Sequence, residues 1–330
     1  MVISLFSKFF IMTTLFTFMF MSLFITDLII IWFFMEIMNF LFIYLMNMSM
    51  KNKKMIFFYF TLQIIPSFLI IYTMIFNNLF ILNNMFYITI IMALMMKLSI
   101  PPFHLWLPII SKYLNWQTLF ILLTIMKITP FYLMSLININ TMFIYLILIL
   151  CSIIPPYMLL INLNNFKVIM SYSSINQTSW MILLISLKNI IWLKYFMFYS
   201  FILMSLFIIM NYFKLFINFT NNNMKINYNL LNMLFIFNMA SMPPFSFFYM
   251  KWFSIFLIMH NSKYFLIMIT LMLSSFLMLF IYTNMLINSL FLFKFKSKMF
   301  YLNTYYLSNN VMPSLLLYLS LFLSSILLIL

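Results

Sequence analysis

The sequence predicts an all-α polytopic membrane protein of about eleven transmembrane helices, and two observations lead to this fold class. First, 67% of the 330 residues are apolar and only 6% are charged, against about 25% charged residues in soluble domains. Second, the apolar residues form runs of about 20, the length that crosses the hydrocarbon core of a bilayer. Polar residues are too few to cover a soluble fold, so the surrounding medium is lipid.

Clusters of Asn, Lys and Ser separate the apolar runs and mark the ends of the predicted spans. The longest predicted connections are 214–229 and 290–313. The predicted spans are 3–24, 28–46, 55–76, 85–109, 117–137, 141–161, 168–186, 195–213, 230–258, 264–289 and 314–330.

The lysines between the spans predict the orientation of the chain. Most of them lie in connections that follow even-numbered spans, and few follow odd-numbered spans. Positively charged loops stay on the negative side of a membrane. The N-terminus is therefore predicted on the matrix-like side, and an odd number of spans places the C-terminus on the opposite side.

Composition also excludes several classes of function. The net charge of +15 comes from lysines dispersed between apolar runs, which does not indicate a nucleic-acid surface. Cys151 is the one cysteine, so disulfides and thiolate metal clusters are excluded. The two histidines are too few for an ordinary metal site. The absence of glycine excludes Gly-rich nucleotide loops, and with the abundance of Phe, Ile, Met, Asn and Lys it indicates an A+T-rich organelle genome.

A short motif occurs twice and predicts an internal repeat within a single membrane domain. Pro-Pro-Phe stands at 101–103 in the fourth span and at 243–245 in the ninth. If 1–137 and 141–289 are two five-helix units, with 290–330 a loop and a C-terminal helix, each motif lies in the fourth helix of its unit. Five is odd, so the second unit is inverted, as in many transporters whose broken helices mark the translocation site.

Glu36 lies near the middle of the second predicted span. A charged side chain at that depth costs on the order of 3 kcal/mol on insertion scales. One interpretation is a protonated acid that is hydrogen-bonded to a neighbouring helix. The interpretation we favour is a proton carrier whose charge is controlled by burial and by a nearby lysine.

Three lysines stand at or near predicted helix breaks. Pro101 and Pro102 cannot donate to the carbonyls four residues earlier, so the helix breaks beside Lys97. Carbonyls freed in this way are tolerated at membrane depth against protein or a water-filled cavity. Lys127 is near the centre of the fifth span, close to Pro130, and Lys251 follows the second Pro-Pro-Phe motif, where snorkelling towards the helix end is an alternative.

Four further residues are secondary candidates for proton relay. His104 follows the first motif, where a packing histidine is an equally good interpretation. Lys167, Tyr172 and Ser173 belong to the polar seventh span, whose side chains either order water or hydrogen-bond between helices.

One carboxylate and several lysines on broken helices form a pattern typical of proton relay through a membrane. The nearest alternative function is a stand-alone cation/proton antiporter, which needs the same broken helices and buried charges. A structural membrane scaffold is the third possibility.

The motifs, in order, resemble the subunit 2 family of mitochondrial NADH:ubiquinone oxidoreductase (respiratory complex I), in particular that of insects and related invertebrates. The resemblance extends over roughly residues 30–255. Serines replace the glycines usual beside the two Pro-Pro-Phe motifs, which implies slightly wider helix contacts, and Gln177 replaces a histidine often found in the seventh span. The matching motifs are Phe33-x-x-Glu36-x-x-Asn39, Met96-Lys97-Leu98, Pro102-Phe103-His104-x-Trp106-x-Pro108, Lys127-x-x-Pro130, Lys167 with Tyr172-Ser173-Ser174-Ile175 and Trp180, and Pro243-Pro244 with Lys251-Trp252.

The resemblance implies an antiporter-like core subunit of the membrane arm, in the mitochondrial inner membrane. Its proton-relay axis is expected to consist of Glu36, Lys97, Lys127 and Lys251. Flavin mononucleotide, iron–sulfur clusters and ubiquinone are expected in other subunits of the complex and no cofactor in this chain. The expected partners are other membrane-arm and accessory subunits and membrane lipids, without nucleic acid.

Overall fold

The computed structural model describes residues 2–80, 83–137, 141–161, 165–187, 191–212, 226–243, 245–259 and 264–297, and most of these residues are in α-helices. No strand occurs in these ranges. The helices are α1 (Val2–Leu23), α2 (Leu28–Ser49), α3 (Lys53–Phe80), α4 (Asn83–Leu98), α5 (Trp106–Ser111), α6 (Trp116–Leu123), α7 (Ile125–Leu136), α8 (Thr141–Ile161), α9 (Phe166–Ser186), α10 (Ile191–Tyr212), α11 (Ile226–Met239), α12 (Ser246–Met259) and α13 (Phe265–Ser297).

Six stretches in the described residues are long and apolar enough to cross a bilayer. This confirms the prediction of an all-helical polytopic membrane protein, while the count of about eleven spans stays a prediction. The predicted span 314–330 lies outside the described residues, and α13 continues to Ser297, beyond its predicted end at 289. The six stretches are Phe6–Leu23, Leu28–Ser49, Lys53–Phe76, Trp116–Leu136, Ile191–Asn211 and Phe265–Met285.

The surface of α1 carries large apolar side chains that are exposed. Phe6, Phe9 and Phe10 are 71%, 69% and 59% exposed. Apolar surface of this kind marks a contact with membrane or protein. The polar residues of α9, in contrast, are buried inside the protein.

The predicted fourth and ninth spans are both broken, as the Pro-Pro-Phe motifs predict. The first break separates α4 from α5, and the second separates α11 from α12. The predicted fifth span is also divided, at Thr124, whose backbone angles are φ −118° and ψ −80°. Thr124 donates both its N–H and its hydroxyl to the carbonyl of Phe120, at 3.0 and 2.7 Å.

The first helix of each broken span ends in the same backbone motif. Ser99 and Ser241 adopt left-handed angles, with φ of 56° and 57°. At the first break the N–H of Ile100 donates to the carbonyl of Met95, five residues earlier, at 2.9 Å. At the second break the N–H of Met242 donates to that of Phe237, again five residues earlier, at 3.2 Å. These are Schellman caps, which usually hold glycine at the left-handed position.

The serines that replace the family's glycines therefore adopt left-handed backbone angles, which the sequence did not predict. Each hydroxyl donates to the carbonyl of the preceding residue, Leu98 in the first break and Ala240 in the second. A side-chain hydrogen bond of this local kind makes a left-handed position more tolerable for a residue with a Cβ.

The described residues divide into two compact units. The first consists of Met1–Cys151 and Gln177–Asn189, and the second of Ser152–Asn176 and Ile190–Leu330. The predicted assignment of two inverted five-helix repeats, 1–137 and 141–289, stays a prediction. Each unit contains one of the two capped helix breaks.

Candidate functional site

A buried ion pair joins α2 to α4 in the first unit. The Nζ atom of Lys97 lies 3.0 Å from Oε1 of Glu36, and their side chains are 3% and 14% exposed. Asn39, one turn after Glu36 on α2, donates its amide to the same carboxylate oxygen at 3.3 Å. Glu36 therefore receives one charged and one neutral donor, which offsets part of the cost of burying its charge.

The break after α4 determines where Lys97 lies. Lys97 belongs to the last turn of α4, two residues before the left-handed Ser99. The indole N–H of Trp106, at the start of α5, donates to the carbonyl of Met96 at 3.2 Å. This bond fastens α5 to the end of α4, so that a carbonyl at the break has a partner at a depth where water is scarce.

A small polar cavity adjoins the ion pair. Its volume is about 20 Å³, and a cavity above roughly 10–15 Å³ on this measure holds one water molecule when polar partners are present. Lys97 and Lys127 both line it. The remaining lining residues are Met35, Met38, Asn39, Tyr59, Gln63, Trp106, Leu122, Met126, Thr129 and Pro130.

Lys127 reaches this cavity from the first turn of α7. It is 4% exposed, and its N–H donates to the carbonyl of Thr124 at 2.9 Å, across the division of the fifth span. Pro130 has no N–H to offer the carbonyl of Met126, and both of these residues line the cavity. The structure thus brings three predicted residues together: Glu36 and Lys97 form a pair, and Lys97 and Lys127 share one cavity.

Lys251 lies on α12 in the second unit and is 6% exposed. Its Nζ donates to the hydroxyl of Ser241 at 2.9 Å and lies 5.4 Å from the ring centroid of Phe247. The alternative of snorkelling towards the helix end therefore does not describe this side chain, because its ammonium group bonds at the helix break. Asn238 accepts the N–H of Phe247 at 3.0 Å and so caps the start of α12.

The secondary candidates are buried but are not gathered around the cavity. His104, 6% exposed, lies in the turn between α4 and α5 in the first unit. Lys167, Tyr172 and Ser173, on α9 in the second unit, are 7%, 4% and 0% exposed. Ser173 donates to the carbonyl of Met170 at 2.9 Å, within its own helix.

Two polar cavity residues on α3 were not identified from the sequence. Tyr59 and Gln63 lie four residues apart on α3 and are 1% and 5% exposed. Residues four apart share one face of a helix. That spacing of polar groups within an apolar span was the signal that would have found them.

The chain matches known proteins over most of its length. Residues 25–278 match the family described as NADH:quinone oxidoreductase/Mrp antiporter, TM. A relative named NADH-ubiquinone oxidoreductase chain 2, from Aedes aegypti, is 31% identical over 224 residues, which cover 66% of this chain and 63% of that one. A relative of the same name from Rhipicephalus sanguineus is 32% identical over 261 residues, covering 78% of this chain and 81% of that one.

The fold is shared with a solved respiratory assembly. One chain of respiratory complex I from Thermus thermophilus, solved with bound aureothin, superposes with a TM-score of 0.75 at 14% identity. The match covers 94% of this chain and 77% of that one. The sequence matches assign the chain to the NADH-ubiquinone oxidoreductase chain 2 family, within the wider NADH:quinone oxidoreductase/Mrp antiporter family.

Proposed function

We propose that this chain is a proton-translocating subunit in the membrane arm of a mitochondrial NADH:ubiquinone oxidoreductase. The observation that carries the proposal is the buried Glu36–Lys97 pair beside a polar cavity that also reaches Lys127. Buried ionisable groups in a membrane protein that pair with each other mark ion pathways and proton relays. Glu36, Lys97, Lys127 and Lys251 form the relay.

The cavity supplies the step between Lys97 and Lys127. A water in it has polar partners on several sides, among them Asn39, Gln63 and Thr129. A proton leaves one ammonium group for this water as the water gives another to the neighbouring amine. When the carboxylate of Glu36 pairs with Lys97 or separates from it, the net charge facing Lys127 changes, and this change loads or unloads the proton there.

Lys251 provides a second loading site in the other unit. Its partners, the Ser241 hydroxyl and the Phe247 ring, are neutral groups that stabilise an ammonium ion without holding it in a full ion pair. A proton bound there leaves without separating two opposite charges. The predicted five-helix repeats, 1–137 and 141–289, are inverted in this proposal, and each contributes one lysine close to a capped helix break.

The drive for these transfers is quinone reduction in other subunits of the complex. Flavin mononucleotide, iron–sulfur clusters and ubiquinone belong to those subunits, and this chain carries no redox centre. Its partners are the neighbouring membrane-arm and accessory subunits and the lipids of the mitochondrial inner membrane. The N-terminus faces the matrix and the C-terminus the intermembrane space.

A stand-alone cation/proton antiporter is the second candidate, because the matching family also includes Mrp antiporters. Native electrophoresis of detergent extracts separates the two functions. Co-migration with an NADH-oxidising assembly supports the subunit, and migration as a free monomer or homodimer supports the antiporter.

Replacing Lys127 by methionine tests the relay in the assembled complex. We expect Lys127→Met to lower the rate of proton translocation that accompanies NADH oxidation by at least about tenfold, since a positioned proton-transfer group contributes roughly 10²–10⁴-fold to a rate. Lys112→Met is the matched control, because Lys112 is exposed. Equal rates in the two variants, with equal amounts of assembled complex, contradict the proposal.

A further inference from the structure

Two buried phenols in the second unit have no hydrogen-bond partner among the residues that the structure describes. Tyr199 on α10 and Tyr282 on α13 are each 1% exposed. Within the described ranges of the chain, neither hydroxyl oxygen makes a hydrogen bond. Buried polar groups are nearly always hydrogen-bonded, so an unpaired one calls for a partner such as an ordered water.

Serine hydroxyls lie beside both phenols. Ser174 is next to the hydroxyl of Tyr199, and Ser173 is next to that of Tyr282. Ser174 donates to the carbonyl of Ser171 at 2.7 Å, and Ser173 donates within the same helix as described above. Because their protons are committed to α9, these serine oxygens have only acceptor capacity left.

One of the two phenols, Tyr199, is close to Lys251 through a single aromatic ring. The ring centroid of Phe247 lies 6.4 Å from that of Tyr199. The Nζ atom of Lys251 is in contact with the same ring, as described above. Phe247 is fully buried, at 0% exposure. One apolar side chain therefore lies against both Tyr199 and the ammonium group.

We infer that Ser173, Ser174, Tyr199 and Tyr282, here called the hydroxyl cluster, form a water-binding site that exchanges protons with Lys251. This rests on the proposed function and names a site that serves it. A water between a phenol and a serine accepts the phenol proton and donates to the serine oxygen, which supplies the missing partner of each phenol.

Proton transfer through the hydroxyl cluster leaves its composition unchanged. As a proton arrives at one water or hydroxyl oxygen, the O–H bond on its other side breaks and passes a proton to the next oxygen. The last transfer is to the neutral amine of Lys251, or from its ammonium group in the reverse direction. The side chain of Phe247 has to move aside for water to span this step, so the ring acts as an apolar gate.

The test is a cryo-EM map of the assembled complex, together with proton pumping by the Tyr199→Phe/Tyr282→Phe double variant. We expect water density about 2.8 Å from both phenol oxygens. In the double variant we expect this density to be lost and the number of protons translocated per NADH oxidised to fall several-fold. Tyr157→Phe is the control, because Tyr157 is a phenol of the same unit that is 63% exposed.

The outcomes separate this inference from the proposed function. Dry phenols in the map, or a double variant that pumps like the control, overturn the hydroxyl cluster. If the double variant fails to assemble, the map of the unmodified complex decides. If Lys127→Met leaves pumping unchanged, the proposed function fails, whereas water at the phenols is observed independently of that result.

Discussion

At the end of α4, Lys97 faces the carboxylate of Glu36 at 3.0 Å, whereas beyond the end of α11 Lys251 bonds to the hydroxyl of Ser241 at 2.9 Å. The helix cap is the same in both places, a serine in the left-handed conformation, and Pro-Pro-Phe follows it in the sequence. The two breaks are therefore alike in their caps and different in how each lysine is stabilised.

The break in the helix and the partner of its lysine are therefore specified by different residues. The cap and the prolines interrupt the helix and place a lysine within reach of unpaired polar groups. A neighbouring helix can then supply an anionic partner for that lysine, as α2 supplies Glu36 for Lys97. We therefore expect charged partners to contribute more to stability at the first break than at the second.

The largest predicted effect compares the two lysines. Lys97→Met leaves Glu36 buried without its cation and is expected to cost about 3–5 kcal/mol of stability. Lys251→Met leaves behind only the neutral hydroxyl of Ser241, which still donates to the carbonyl of Ala240. This variant is expected to lose about 1 kcal/mol of stability. Thermal denaturation of the assembled complex measures both.

Equal losses of stability in these two variants contradict the comparison. They would mean that Lys251 has a buried anionic partner of its own, or that Glu36 is neutral in the folded state. Proton pumping is expected to fall in both variants, because each removes a relay group.

A smaller effect concerns the left-handed serines. Ser99→Gly is expected to gain about 1 kcal/mol of stability, because a residue with a Cβ costs roughly that amount in this conformation. Ser241→Gly is expected to gain less, since it also removes the hydroxyl that accepts from Lys251. Denaturation curves of the two variants, with Ser99→Ala as a control that keeps the Cβ, measure the difference. A larger gain from Ser241→Gly would show that its bond to Lys251 contributes little.

The helix breaks could be predicted from the sequence because the repeated Pro-Pro pair removes backbone donors locally, from Pro101 and from Pro243. Proline alone is not sufficient, because Pro66 and Pro155 stand inside the continuous helices α3 and α8. The division at Thr124 was not predicted, because it depends on a threonine that bonds back to Phe120, which other threonines do without breaking a helix.

The candidate site could be predicted only in part. Buried charges such as Glu36 and Lys127 stand out in an apolar chain, since each is costly at membrane depth. Tyr59 and Gln63 do not stand out, because tyrosine and glutamine occur in many spans and only packing shows that this pair lines the cavity. Pairing of Glu36 with Lys97 joins residues 61 positions apart, and the spacing alone carries no signal for it.

We propose that the Glu36–Lys97 pair serves proton transfer rather than packing. The Glu36→Gln/Lys97→Met double variant separates these two roles, because removing both charges of a buried pair is often neutral for stability. The measurement is the rate of proton translocation that accompanies NADH oxidation by the assembled double variant. We expect normal assembly and a rate at least about tenfold lower than in the unmodified complex. An assembled double variant with an unchanged rate would mean that the pair serves packing alone.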